Sequence, residues 1–501
     1  MDLWLSAIVI LFVFCLEQIS GINGKFPNIV LILTDDQDVT LNGLLPMQNV
    51  KNLIGLMGAT FENAFTTSPL CCPSRASLLS GRYQHNHRTW NNSLEGGCNG
   101  LHWHSQIEMK TLAPTLKSAG YTNFFAGKYL NQYQGAEVPA GWQEFYGLHG
   151  NSRYYNYTLR ENSRNVSYSN VYLTDLLRTK VLSFLNSHRK QSPFFAMVAP
   201  PAPHAPYTPA KRHRNAFQGV HALRTPNFNI IDKDKHWLVS NGKLIPNDTL
   251  HLMDTYFQKR WESLLAVDDL VADIVHTLES KGQLENTYII YTSDNGYHMG
   301  QFAQPFDKRQ PYETDVRVPL LIRGPNIKPD IKITAATALI DIFPTILEWL
   351  ALPSNPEIDG QSINAFLANA PEYDASLDRL YRRSLLVQHF GEGNLNTYKP
   401  ECPWSRTDLL AECTVEADCH CQDAWNNTYS CIRHFSYHTN RLYCEFNDNE
   451  DFVEAYEVDN DPHQMQNMVR DMLPIERALY SLALVNLTKC IGSSSCSDVI
   501  L

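Results

Sequence analysis

Five short apolar runs, four of them ending on a polar group with chemistry of its own, constrain this chain more than any other feature. They are Ile29 to Leu33, Asn123 to Ala126, Phe194 to Ala199, Tyr288 to Thr292 and Pro319 to Ile322. Runs this uniformly apolar suit strands buried on both faces, and such sheets are mostly parallel and covered by helices. Trp261, Leu264, Leu265, Leu270, Val271, Ile274, Val275 and Leu278 recur at helical spacing and predict a long helix packed on that sheet. The expected class is α/β, a large mixed and mostly parallel sheet flanked by helices. From about Leu380 the texture turns Cys-rich, Asn-rich and aromatic, which predicts a smaller α+β domain. The expected division is a leader over 1–21, a main domain over 22–380 and a C-terminal domain over 381–501, the last boundary falling between Pro353 and Arg383.

Ligands of open α/β sheets bind beyond the carboxyl ends of the strands. The first run leads into Asp35 and Asp36, the second into Lys128, the third into His204 and the fourth into Asp294 and Asn295. Adjacent acids at a buried strand end repel one another unless a cation neutralises them, and three carboxylates with an amide are hard oxygen donors. That set favours calcium or magnesium over zinc or copper. A turn or helix-capping cluster over Thr34 to Asp38 is the plainer alternative. Arg75, Lys128 and Lys308, with His204 and His298, are the cations available to surround an anion. Each alone also reads as a surface charge or a loop residue.

Lys plus Arg number 41 against 52 for Asp plus Glu, giving a net charge of −11, so no bulk basic field exists to draw nucleic acid. The apolar stretch Leu3 to Leu16 is shorter than the roughly 20 residues of a spanning helix and reads as a secretory leader rather than a stable membrane insertion. Six Asn-x-Ser/Thr triplets, at Asn91, Asn156, Asn165, Asn247, Asn426 and Asn486, agree with that compartment. Of the 12 Cys, Cys15 leaves with the leader, and the odd remainder means one thiol without an intramolecular partner. Eight Cys crowd the last quarter without a paired C-x2-C spacing, which favours disulfides over zinc.

Residues 71 to 82 read Cys-Cys-Pro-Ser-Arg-Ala-Ser-Leu-Leu-Ser-Gly-Arg. Pro73 near the start and good helix formers after it predict a helix whose free N–H groups point at an anion. The string resembles the sulfatase signature, Cys-x-Pro-Ser-Arg followed by x3-Leu-Ser/Thr-Gly-Arg. The resemblance extends to Pro27 through Gln37, Gly127-Lys128, Ser293 to Gly296 and Asp341 to Thr345, about residues 25 to 350. It implies the alkaline-phosphatase-like sulfatase fold, and oxidation of Cys71 to Cα-formylglycine by the formylglycine-generating enzyme. The Cys count then becomes even, ten thiols for five disulfides, with Cys72 a possible partner of Cys98. Many sulfatases carry a His two residues after the lysine of the Gly-Lys segment, where this chain has Leu130. Gly127-Lys128-Tyr129-Leu130-Asn131 is instead similar to sulfatases that act on glucosamine 6-sulfate. The extracellular heparan endosulfatases share the catalytic half but carry a long basic insertion that this chain lacks.

What the resemblance implies is hydrolysis of a 6-O-sulfate on a glucosamine residue of heparan or keratan sulfate, in the lysosome or after secretion. The formylglycine hydrate would attack sulfur. One calcium ion would be held by Asp35, Asp36, Asp294, Asn295 and the residue at position 71. Arg75, Lys128 and Lys308 would neutralise the transferring group, His204 or Lys308 would protonate the leaving oxygen, and His298 would hold substrate or a hydroxyl. The competing expectations are a metal phosphatase of the same superfamily, which would use Ser or Thr and zinc, and a silent glycan-binding protein.

Overall fold

The apolar runs pair side by side because none has a polar face to show to water. The computed structural model describes residues 26–369, 382–397, 399–402, 409–417, 419–436, 438–497 and 501, so the leader expected over 1–21 lies outside the described residues. In chain order the strands of the main sheet are β1 (Asn28–Thr34), β2 (Ala59–Phe61), β3 (Thr122–Lys128), β4 (Glu144–Leu148) and β5 (Tyr157–Glu161). They continue as β6 (Arg164–Tyr168), β7 (Phe194–Ala199), β8 (Thr287–Ser293), β9 (Leu320–Arg323) and β10 (Ile331–Ile333). Their order is β10-β2-β9-β8-β1-β7-β3-β4-β5-β6. The five apolar runs are β1, β3, β7, β8 and β9. Of these, β8, β1, β7 and β3 are consecutive and parallel, and β9 turns antiparallel beside β8. The strands without a sequence expectation lie outward of these, short like β2 and β10 or carrying exposed residues like β6.

Alternation along each strand divides the core in two. Val30, Ile32, Phe124 and Ala126 face α2 (Leu173–Ser187) and α3 (Asn247–Ser280), meeting Leu177, Val181, Leu270 and Ile274. Ile29, Leu31, Leu33 and Phe125 face α1 (Cys71–Ser80) and α4 (Ile342–Trp349), meeting Ala76, Phe343 and Ile346. The predicted helix over 261 to 278 is the C-terminal half of α3, whose more polar first half starts at Asn247.

Beyond residue 382 the chain builds β11 (Arg383–His389), β12 (Ala411–Thr414), β13 (His420–Asp423), β14 (Tyr429–Ser436), β15 (Thr439–Phe446) and β16 (Val453–Glu457). The order β11-β14-β15-β16 is antiparallel throughout, and β12-β13 is a separate hairpin. Tyr480, Ala483, Leu484 and Leu487 of α5 (Pro474–Leu487) are its buried face. Disulfides join Cys72–Cys98, Cys402–Cys421, Cys413–Cys419, Cys431–Cys444 and Cys490–Cys496, and Cys71 is the free cysteine among the described residues. The expected disulfides form, and the thiol without a partner is at position 71.

Buried charge ties the C-terminal sheet to the helix at Glu313 and the loop at Lys235 of the main domain. Arg433 of β14 meets Glu313 at 3.0 Å. Lys235 donates to Tyr456 Oη at 2.6 Å and lies 3.7 Å from Glu454, with the rings of Phe302, Tyr312 and Tyr456 all within 4.4 Å of its Nζ. Burial lowers its ammonium to about 8 although Glu454 pulls the other way. Removing one partner of a buried pair strands the other, so Lys235→Met is expected to lose about 3 kcal/mol of stability, read from the urea midpoint. An unchanged midpoint would show that aromatic packing alone holds this junction.

Candidate active site

Four strand ends and one helix start meet at a single point. The main chain leaves β1 at Thr34 and enters Asp35 and Asp36, the latter in the left-handed region at φ 67°. Arg260, from the middle of α3, holds that turn by donating to the Asp36 carbonyl at 2.9 Å and to Asp38 Oδ1 at 2.8 Å while stacking on Tyr297. Lys128 is the last residue of β3, reached through Gly127 at φ 125°, where a Cβ would sit 2.0 Å from the Ala199 carbonyl oxygen of β7. Only glycine lets β3 and β7 run this close. Asp294 follows β8, and its Oδ1 accepts from the Asp36 and Asn295 backbone N–H groups at 3.1 and 2.9 Å. Cys71 opens α1 behind an extended Leu70.

Ion pairs interlock these groups. Lys128 Nζ meets Asp35 Oδ2 at 2.7 Å, Arg75 Nε meets Asp294 Oδ2 at 2.7 Å, and Lys308 Nζ meets Asp36 Oδ2 at 2.9 Å. Arg75 also lies 3.5 Å from Asp35 and donates to the Lys128 carbonyl at 2.6 Å. His204 donates through Nδ1 to the Ala205 carbonyl at 2.7 Å, which turns Nε2 toward Asp36 Oδ2, 3.7 Å away. The Cys71 sulfur is 3.9 Å from Asp36 Oδ1 and fully buried.

Burial opposes every charge here, and its outcome differs by neighbour. It is the largest influence on Asp35 and Asp36 and raises both, but Lys128, His204 and Arg75 together overcome it at Asp35, and Lys308, His204 and Lys128 at Asp36, so both carboxyls lie below their ordinary values. At Asp294 burial prevails over Arg75 and the group rises to about 7. The same desolvation pushes the Cys71 thiol up to about 12, so an unmodified cysteine here is no thiolate nucleophile. His204 is lowered by burial against the pull of Asp36 and Asp35.

The donor set fits a hard cation. Asp35 Oδ1 and Asn295 Oδ1 are buried and accept no hydrogen bond, and single ligand atoms from Asp35, Asp36, Cys71 and His204 lie within 4.8 Å of one another. The two carboxylates in this set are hard oxygen donors suited to a divalent cation.

A cavity of about 320 Å³ opens above Asp36, lined by His204, Tyr207, Tyr297 and Lys308 among others. The sequence-derived groups thus divide by depth. Asp36, His204 and Lys308 reach the cavity, whereas Asp35, Cys71, Arg75, Lys128, Asp294 and Asn295 form its fully buried floor. His298 does not join them. Its Nδ1 is tied to Asp315 at 3.0 Å and its Nε2 to Gln422 at 2.8 Å, and it does not line the cavity. Leu130, where many sulfatases have a histidine, is a buried core residue beside Tyr129 and Tyr133. Sequence reasoning missed Arg260, and Ser152, whose Oγ donates to Asp35 Oδ2 at 2.5 Å. Neither has a local signal. Asp307 and Arg309, which also line the cavity, had one, since they flank Lys308 in a charged triplet within an otherwise uncharged stretch.

Acids, permanent cations and a buried cysteine gathered at the carboxyl edge of a parallel sheet, beneath one cavity, form a site suited to an anionic ester. The family model for sulfatases matches residues 27–352, and the chain belongs to that family. It is 45% identical over 492 residues to the N-acetylglucosamine-6-sulfatase of Capra hircus, covering 95% of this chain and 86% of the relative. To the Homo sapiens protein of the same name it is 46% identical over 479 residues, covering 93% and 85%. The extracellular sulfatase SULF-1 homolog of Drosophila melanogaster is 38% identical over 345 residues, 67% of this chain and 31% of that protein. Among solved structures, one of a protein in complex with its substrate D-glucosamine-2-N,6-O-disulfate superposes with a TM-score of 0.73 at 22% identity, covering 93% of this chain and 97% of that one. The phosphonate monoester hydrolase of Agrobacterium radiobacter gives 0.66 at 17%, covering 92% and 96%. These likenesses establish the alkaline-phosphatase-like fold expected from the sequence.

Proposed function

We propose that this chain removes the 6-O-sulfate from N-acetylglucosamine (glucosamine) residues of heparan or keratan sulfate, with Cys71 converted to Cα-formylglycine. The observation that carries the reading is the buried, unpaired Cys71 at the start of α1, 3.9 Å from Asp36, amid ion-paired cations. The names of the relatives that share about 45% of their residues supply the substrate class.

Asp35, Asp36, Asp294 and Asn295, with position 71, are the residues that would hold one calcium ion. Such an ion acidifies the attacking hydroxyl and neutralises oxygens of the transferring group when bound. Formylglycine supplies a hydrated aldehyde, a nucleophile with a second hydroxyl for releasing sulfate. The chain's own groups do the rest. Asp35, Asp36 and Asp294 are matched by Arg75, Lys128 and Lys308 at 2.7 to 2.9 Å, so any added divalent cation leaves the site net positive, as a sulfate monoester requires. Lys308, on the cavity side, contacts a sulfate oxygen. Arg75 and Lys128 keep the carboxylates in place from below.

His204 protonates the leaving sugar oxygen. Burial lowers Lys308, but Asp36, Cys71 and Asp307 together hold it well above its usual value, so it is the poorer acid, whereas burial lowers His204. His298 contributes through Asp315 and Gln422, outside the reacting groups. We assign the catalytic part to 22–380 and the disulfide-rich part to 381–501, which supplies Glu412 and Glu416 to the cavity rim. Five disulfides support passage through the secretory pathway, where the formylglycine-generating enzyme acts, with the lysosome as destination. No helix among the described residues is long and apolar enough to cross a membrane.

The test is peptide mass spectrometry across Asn52 to Arg75 after reduction of the Cys72–Cys98 disulfide. Conversion of Cys71 makes that peptide about 18 Da lighter than the peptide with two free thiols. A plain thiol at position 71, from a host with the converting enzyme, would overturn the mechanism.

A further inference from the structure

Aromatic rings and charged groups share the lining of the cavity above Asp36 with Asn92, Asn151 and His204. Tyr207, Tyr256, Tyr297 and Phe306 are aromatic, while Asp307, Arg309, Glu412 and Glu416 are charged. Glu412 and Glu416 come from far along the chain. Glu412 belongs to β12, and Glu416 sits in the loop closed by the Cys413–Cys419 disulfide, with Cys402–Cys421 tying the same hairpin. The hairpin therefore presents both carboxylates from a cross-linked support.

Arg309 does not neutralise them. Its guanidinium meets Asp307 at 2.6 Å, Glu392 at 2.8 Å, and Glu412 and Asp423 each at 3.6 Å. Arg309 is shared among four carboxylates, and the further cation near them, Lys308 at 3.5 Å from Asp307, is itself paired to Asp36 at 2.9 Å, so this part of the cavity keeps a net negative charge, with the exposed Glu416 adding to it. The inner end of the cavity, with Lys308 and His204 beside Asp36, is arranged for one anionic group. A sugar with a single sulfate can set that sulfate against Lys308 and turn hydroxyls, which donate, toward carboxylates, which only accept. A sugar with a second sulfate brings like charge against Glu412 and Glu416, and like-charge juxtaposition is a means of rejecting a competitor.

We infer that Glu412 and Glu416 are specificity residues that select sugars with one anionic substituent, favouring a glucosamine 6-sulfate whose nitrogen is acetylated over one whose nitrogen is sulfated. The inference rests on the glucosamine 6-sulfate reading above and goes beyond it by assigning a selective role to the C-terminal hairpin.

The experiment compares kcat/KM for N-acetylglucosamine 6-sulfate and for glucosamine 2-N,6-O-disulfate at neutral pH. The enzymes are wild type, Glu412→Gln with Glu416→Gln, and Glu412→Asp with Glu416→Asp. Wild type is expected to prefer the monosulfate by about tenfold, equivalent to about 1.4 kcal/mol. The preference falls toward one in the amide pair, persists in the aspartate pair, and shrinks for wild type as salt is raised. Loss of fold lowers both rates together and leaves the ratio alone, so the ratio isolates the charge effect. A ratio unchanged in the amide pair, or one that collapses equally in the aspartate pair, overturns the assignment. Failure of the parent reading looks different: wild type with residue 71 converted would cleave an aryl sulfate and neither sugar.

Discussion

Cys71→Ala is expected to reduce sulfate ester hydrolysis to background, a loss of at least about 10⁵-fold in kcat, with little change in thermal stability. The side chain is fully buried and makes one contact of hydrogen-bond type, to Asp36 across 3.9 Å, so its removal leaves the ion-paired floor in place. Cys71→Ser is expected to be as inactive. Burial pushes the native thiol up to about 12, and a serine hydroxyl in the same surroundings is a weaker acid still. Neither offers the second hydroxyl that releases sulfate from the enzyme. Assays with 4-methylumbelliferyl sulfate and the sugar 6-sulfate, beside a melting curve, separate a chemical loss from a folding one. Activity in the serine variant within about a hundredfold of wild type would mean that position 71 is not the nucleophile.

His204→Ala should divide substrates by leaving group. A sugar alkoxide needs a proton as it departs, and a positioned acid contributes about 10² to 10⁴-fold. An aryl sulfate expels a stable phenolate and needs little help. The variant is therefore expected to lose about 10³-fold on the sugar 6-sulfate and less than about tenfold on the aryl ester. Because burial lowers His204 from the ordinary imidazole value, kcat/KM on the sugar should decline as pH rises past a point below about 6.5, and this decline should vanish in the variant. Equal losses on both esters would move the acid elsewhere, with Lys308, 2.9 Å from Asp36 on the same side, next in line.

The centre was readable in outline because its parts follow strands whose apolarity is unmistakable. Each of β1, β3, β7 and β8 could be placed from a run of buried residues, and the polar group after each run was conspicuous for that reason. The catalytic helix was readable from Pro73 and the motif around it. His298 shows the limit. A histidine four residues beyond Asp294 reads as a group that holds substrate or a hydroxyl, and nothing in the sequence signals the Asp315 and Gln422 contacts its ring makes. Arg260 shows the converse, a charged residue inside an amphipathic helix that secures the turn at Asp36 from over two hundred residues away.

Composition, periodicity and one twelve-residue string sufficed for the α/β class, the buried parallel centre and the oxygen-rich, cation-lined chemistry. Those properties follow from residue type and local spacing. Pairing among ten cysteines, the depth ordering of Lys308 and His204 above Arg75 and Lys128, and the arrival of Glu412 at the rim were settled only by folding. They depend on contacts between residues up to hundreds of positions apart, such as Arg309 with Glu412 and Lys235 with Tyr456. Local pattern carries no record of such partners, because a charged side chain looks alike in sequence whether water or a buried carboxylate neutralises it.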